Sequence, residues 1–217
     1  MDCFFIVMAG WVFTVCLHEY GHAFVAWHGG DKSVAEKGYL TLNPLHYGHP
    51  LTSLILPMVY LAVGGIGLPG GAVYIDESRI RSKAWLAAVS LAGPAMNALA
   101  ALLLLIPFKL HMFSEPDGVL AYSLAFLLAL QISAILFNLL PIPSLDGFNF
   151  VRHWLPGPAR EWLVQNGNII FLVFIMVFLM DDMMADKFYE VVFWILDVMG
   201  APLDLVSAGW RAFHFWR

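Results

Sequence analysis

The sequence His18-Glu19-Tyr20-Gly21-His22 lies late in an apolar run, residues 3–27, that contains no lysine or arginine. Residues four apart share one face of an α-helix, so both histidines can direct an imidazole nitrogen at one metal ion. Glu19 lies on a neighbouring face, where it can reach a water molecule without being a ligand itself. This pattern is typical of zinc-dependent hydrolases, in which two histidines hold the ion and the glutamate is the general base.

Two histidines at this spacing also occur by chance on the surface or in the core of a soluble protein. In an apolar segment a chance occurrence is less plausible, because burying three ionisable groups without a partner costs several kcal/mol. The setting of the motif therefore favours a metal site.

The composition places the chain in a membrane. Hydrophobic residues make up 60% of the 217 residues, charged residues 12%, and the mean hydropathy is +0.75. Soluble domains carry about twice that charged fraction. The length allows a bundle of several membrane helices but no large soluble domain in addition. The net charge of −5 and the lack of a basic run argue against a nucleic-acid partner.

The two cysteines, Cys3 and Cys16, both fall in the first apolar run. On one helix they lie about 20 Å apart, too far for a disulfide bond. We expect both to be buried apolar side chains rather than metal ligands. The N-terminal residues lack the basic segment of a signal peptide, so the run is predicted to be a retained helix.

Four segments are predicted to be membrane helices. The first, residues 2–27, ends at a glycine-rich break. Residues 84–107 and 119–140 each contain no charged residue over more than twenty positions, the length that a bilayer requires. Residues 161–180 form the fourth helix.

Other segments are less regular. Residues 51–68 are apolar but interrupted by proline and glycine, so they either span the bilayer or re-enter it. Residues 72–75 are predicted to form a short extended strand. The last stretch, with Glu190 and Asp197 seven apart among apolar residues, fits an amphipathic interfacial helix.

The predicted fold class is therefore an all-α polytopic membrane protein. It is a bundle of about five to six membrane helices with a short β segment between the first and third. We expect residues 1–155 to form a membrane-embedded metalloprotease core. Residues 156–217 would add a membrane helix and the amphipathic interfacial segment.

A zinc ion held by two histidines needs at least one further protein ligand. His28 follows His22 by six residues, the spacing of the third histidine in metzincins. In those enzymes a glycine three residues after the second histidine breaks the helix, but Val25 stands there and the break comes only at Gly29. His28 is thus the weaker candidate, more typical of a polar residue at a helix end.

Asp146 is the stronger candidate for the third ligand. It follows a predicted span that is interrupted by Pro141 and Pro143. Irregular backbone at membrane depth is tolerated only where it is buried in protein or lines a water-filled cavity. An ordinary surface turn would account for the segment on its own, but a carboxylate beside an incomplete metal site indicates a ligand.

Three segments together resemble the site-2 protease family of intramembrane zinc metalloproteases. They are residues 18–22, the Gly-Pro-Ala-Met-Asn segment at residues 93–97, and residues 138–147; the linking segment 40–45 is also similar. The resemblance covers residues 10–155, and it is to the minimal form without a PDZ or CBS domain. The chain departs from many members of the family after Leu-Asp-Gly, where Phe148 and Asn149 replace a glycine and an arginine.

The resemblance implies one zinc ion per chain and regulated intramembrane proteolysis of transmembrane protein substrates in the lipid bilayer. Carried over residue by residue, it implies zinc ligands and a catalytic base, with two asparagines close to the site as substrate or oxyanion contacts. These are His18, His22 and Asp146 as ligands, Glu19 as base, and Asn138 and Asn97 as the polar contacts.

The alternative function is a non-proteolytic membrane protein that binds metal, such as a transporter or sensor. Such a protein needs ligands but no general base, so Glu19 favours the hydrolase. We expect a multi-pass protein of the cell membrane. The distribution of basic residues, five against four if residues 51–68 span, does not decide its orientation.

Overall fold

The computed structural model describes residues 1–46, 73–113 and 118–215, and regular structure in these ranges is helical. Short 3-10 helices precede or connect the longer elements. The α-helices are α1 (Asp2–Gly29), α2 (Ser33–Glu36), α3 (Lys83–Lys109), α4 (Val119–Asn138), α5 (Asp146–Val151), α6 (Gly157–Gln165), α7 (Gly167–Met180), α8 (Asp182–Met199) and α9 (Leu203–Phe213).

Helices α1, α3 and α4 are each long and apolar enough to cross a membrane. Helices α6 and α7 would together give a fourth span, although they are bent by 65° at the break between them. The described residues thus supply three or four of the predicted five to six spans, and residues 51–68 lie outside them. The chain is an integral membrane protein.

Helices α1, α3 and α4 begin and end within about three residues of their predicted limits, as is usual for helix ends. The predicted helix over residues 161–180 is wrong in shape, because the chain bends at Asn166, which ends α6 and precedes α7. The single C-terminal helix is also divided, since Gly200 adopts the left-handed conformation with φ of 65°.

The predicted β segment is wrong for the residues that are described. Residues 73–75 are not in a strand, and their backbone groups bond side chains instead of a ladder. The Val73 amide donates to Glu19 Oε2 at 3.2 Å, and the Tyr74 carbonyl accepts from Lys37 Nζ at 3.0 Å. A strand needs a neighbouring strand, and the described part of the chain offers none. We refer to residues 73–76 as the connecting segment.

The core lies between α1, α3 and α4, which pack against one another in the centre of the protein. Gly21 allows α1 to approach α3 closely, because an added Cβ would lie 2.8 Å from the Ala92 carbonyl oxygen. Small residues serve this purpose in membrane helices, where close packing replaces the hydrophobic effect. Helix α9 covers α4 and buries Leu205, Val206 and Phe213. The predicted division at residue 155 stays a prediction.

Candidate metal centre

His18 and His22 lie on one face of α1, and both are buried. The Nδ1 of His18 lies 2.9 Å from Asn97 Oδ1, and the Nδ1 of His22 lies 2.7 Å from the Val89 carbonyl oxygen. Because a carbonyl oxygen only accepts, each Nδ1 carries the proton and each Nε2 presents a lone pair. The two Nε2 atoms are 3.0 Å apart. Two lone pairs facing each other at that distance favour a cation between them.

Asp146 reaches the same point from the break after α4. Ser144, with φ of 77°, turns the chain between Pro143 and the first residue of α5. Gly147 makes the turn compact, since an added Cβ would overlap the Leu139 carbonyl. Asp146 Oδ2 lies 3.3 Å from Nε2 of His18, and Oδ1 lies 3.3 Å from Nε2 of His22.

These three side chains fit a zinc ion. Ligand atoms at about 2.0–2.1 Å from a tetrahedral zinc lie about 3.3–3.4 Å from one another. The observed separations between ligand atoms are 3.0, 3.3 and 3.3 Å. Asp146 Oδ2 is also buried without a hydrogen-bond partner among the described residues, which is costly for a carboxylate unless a cation is bound. His18, His22 and Asp146 form the one group of this kind found in the described ranges.

Gly93 of α3 provides the space beside the ligands. An added Cβ would lie 2.5 Å from Cε1 of His18 and still closer to the Nε2 atoms of both histidines. Only a residue without a side chain leaves room there for two imidazoles and an ion. The structure therefore gives a steric reason for the glycine of the Gly-Pro-Ala-Met-Asn segment.

Glu19 is buried beside the ligands and accepts a hydrogen bond from the Val73 amide. It lines the same cavity as His18, His22 and Asp146. We call this the catalytic cavity; it has a volume of about 670 Å³ and its wall includes residues 73–75 of the connecting segment. The role of Glu19 as a base stays a prediction.

The two asparagines are placed differently. Asn138, at the end of α4, is buried and lines the catalytic cavity. Asn97 is buried on the far side of His18, where its carbonyl oxygen faces the ring nitrogen and not the catalytic cavity. Asn97 thus contacts His18, whereas Asn138 faces the catalytic cavity, and the contacts of both residues to substrate stay predictions.

His28 does not join the cluster. Its side chain is exposed at the end of α1, where its Nδ1 bonds the Phe24 carbonyl oxygen at 2.9 Å. Cys3 and Cys16 are buried and unbridged, as expected. Sequence reasoning missed the contacts of Val89, Val73 and Gly93 to the site. Val89 and Val73 make their contacts through backbone atoms, which every residue type has, so the sequence does not indicate them.

Comparison with known proteins identifies the family. The chain is 43% identical over 213 residues to the "Putative zinc metalloprotease Rip2" of Mycobacterium tuberculosis, covering 98% of this chain and 81% of the relative. The protein of the same name from Mycolicibacterium smegmatis is 43% identical over 219 residues, with the same coverage. The chain belongs to the site-2 protease family of zinc metalloproteases.

A more distant relative agrees. The "Putative zinc metalloprotease YwhC" of Bacillus subtilis is 28% identical over 177 residues, which are 77% of each chain. No family model and no solved structure matches the chain. The names of the relatives and the fit of the three ligands together make this a membrane zinc metalloprotease.

Proposed function

We propose that this metalloprotease acts as site-2 proteases do, by hydrolysing peptide bonds within or near the transmembrane segments of membrane-protein substrates. The observation that carries the proposal is the position of the ligand pair and Glu19 inside an apolar helix long enough to cross a membrane. Ionisable groups are expensive there and are retained for function. A site at that depth serves substrates that are themselves in the membrane.

In this proposal His18, His22 and Asp146 hold the zinc ion. When bound, the ion supplies a Lewis acid that polarises a carbonyl group and lowers the pKa of water. Glu19 takes the proton from the attacking water and passes it to the leaving amine. The Val73 amide, which donates to Glu19 Oε2, fixes the direction of that carboxylate.

The asparagines have distinct roles. Asn97 holds the proton of His18 on Nδ1, so that Nε2 stays free to bind the ion. Asn138 lines the catalytic cavity and is placed to donate a hydrogen bond to the oxyanion or to the substrate backbone. A substrate helix must unwind locally before its carbonyl groups are accessible, because its amides are bonded within the helix.

The test compares a transmembrane substrate with a soluble one. Purified protein in detergent is incubated with a membrane-spanning reporter and with an unfolded soluble protein, and the products are located by mass spectrometry. We expect cleavage of the reporter within or beside its span, and none by Glu19→Gln. Cleavage confined to the soluble protein would contradict the proposal. We further propose that the protein resides in the cell membrane, which fractionation of cells would test.

A further inference from the structure

A second cavity adjoins the catalytic cavity. It has a volume of about 410 Å³, and Glu77, Arg152 and His153 line both cavities. Arg160, Glu161 and Gln165 of α6 add further polar groups to its wall. A substrate chain bound at the metal centre can therefore extend into the second cavity. The three shared residues lie where the two cavities meet, at the entrance to the second one.

Arg152 is the residue at that entrance with unused hydrogen-bonding capacity. Its Nη2 group pairs with Glu77 Oε1, but its Nε is buried and has no partner among the described residues. The side chain is 21% exposed, so most of it faces protein or cavity rather than open solvent. Guanidinium groups bind carboxylates through two parallel hydrogen bonds, and this one makes a single bond to its present partner.

Other cationic side chains lie close to Arg152. Burial and then the Arg160 charge lower the pKa of the Arg152 guanidinium. Burial lowers the pKa of His153, and the charges of Arg152, Arg160 and Lys83 lower it further. Arg152, Arg160 and Lys83 together carry one more charge than the carboxylates of Glu77 and Glu161, which line the second cavity. A negative group that replaces Glu77 at the Arg152 guanidinium would therefore be attracted.

We propose that Arg152 is a specificity-determining residue that binds a carboxylate of the substrate. The substrate class is membrane proteins with aspartate or glutamate close to the cleaved bond. This inference rests on the proposed function and adds a preference for substrates with an acidic residue near the cleaved bond. In the free protein Glu77 occupies the guanidinium through Nη2, and the substrate carboxylate takes over that pairing.

A substrate side chain fits the position of Arg152 better than a lipid headgroup does. Arg152 lines the catalytic cavity together with the proposed zinc ligands, so its ligand is something that enters the catalytic cavity. Hydrogen bonds to a buried guanidinium also carry more energy than those of an exposed one, because water competes less. The preference should therefore persist at moderate salt.

The test measures binding, so that it does not depend on cleavage. Zinc-loaded Glu19→Gln protein is titrated with labelled transmembrane peptides that carry glutamate or glutamine at successive positions beside the reporter's cleaved bond. At one position we expect glutamate to bind about tenfold tighter than glutamine, the value typical of a hydrogen-bonded charge. Adding Arg152→Gln should remove the difference while the glutamine peptide binds as before.

Two further variants sharpen the test. Glu77→Gln, which removes the competing carboxylate, should increase the preference for glutamate. Arg211→Gln, which changes an exposed arginine on α9, should leave it unchanged. Equal binding of both peptides at every position, equal weakening of both by Arg152→Gln, or a reduced preference in Glu77→Gln would each overturn the inference.

The same proteins distinguish a substrate carboxylate from a lipid headgroup as the ligand of Arg152. If Arg152→Gln abolishes binding to bilayers of anionic lipid but leaves the peptide preference intact, the ligand is a headgroup and the inference is wrong. Cleavage of the glutamine peptide by wild type reports on the proposed function alone. If wild type cleaves the glutamine peptide but Glu19→Gln protein binds the glutamate and glutamine peptides equally, protease function stands and the role of Arg152 is refuted.

Discussion

Replacement of Gly93 by alanine tests the geometry of the metal centre. The added Cβ would lie 2.5 Å from Cε1 of His18, whereas contact becomes ordinary at 3.4 Å. Because α3 is packed against α1, the imidazoles must yield, and they can do so because both histidines line the catalytic cavity. They would have to retreat by about 1 Å.

The size of the effect follows from the tolerance of zinc coordination. Bond lengths in protein zinc sites vary by about 0.2 Å. If the imidazoles move by about 1 Å, the two histidines and Asp146 can no longer coordinate one ion together. We expect zinc affinity to fall at least about 100-fold. At a zinc concentration about 100 times the wild-type Kd, this removes most of about 2.7 kcal/mol of zinc-dependent stabilisation. Alanine is the better helix former, so the metal-free protein should remain folded.

The assay is thermal unfolding in detergent with zinc or with a chelator, combined with a zinc titration. Gly157→Ala is the matched control, because an added Cβ at the start of α6 meets nothing within 4 Å. It should bind zinc as wild type does. Wild-type zinc affinity in Gly93→Ala would refute the reasoning, and so would a variant that is already unfolded in chelator.

Three other perturbations address single contacts. Asn97→Leu removes the acceptor for the His18 Nδ1 proton and should weaken zinc binding about 10–100-fold in a chelator competition, with Asn97→Asp restoring most of it. Val73→Pro removes the amide that bonds Glu19 and should lower kcat about tenfold at unchanged zinc affinity; unchanged kcat would contradict the contact. Burial and neighbouring cations lower the pKa of His153 below its ordinary value of 6.5, so the unfolded chain binds more protons and stability falls as the pH drops below that value. His153→Gln should flatten this part of the dependence of Tm on pH, and an unchanged slope would refute it.

The proximity of the proposed zinc ligands could be predicted from the sequence for a simple physical reason. His18 and His22 are four apart on a helix, and helix geometry places them together whatever the rest of the chain does. Asp146 required a long-range argument, but a carboxylate after Pro141 and Pro143 at membrane depth has few favourable environments. The structure brings all three within reach of one ion.

With one exception, the wrong or missing predictions concern features that a local sequence pattern did not indicate. Residues 73–75 have strand-like side chains, yet the Val73 amide bonds the Glu19 side chain and the Tyr74 carbonyl bonds the Lys37 side chain. The bend at Asn166 carries no proline, but Asn166-Gly167 is a local turn signal that the prediction of one helix did not use. The pairing of Arg152 with Glu77 joins residues 75 positions apart, which no local pattern indicates.

The central claim is that a buried zinc site with Glu19 as base performs hydrolysis. The most direct measurement is zinc content together with cleavage of a transmembrane substrate, for purified wild type and Glu19→Gln in parallel. We predict one zinc ion per chain in both proteins, with cleavage in wild type only. Wild type that contains no zinc after careful purification, or Glu19→Gln that cleaves as fast as wild type, would contradict the account.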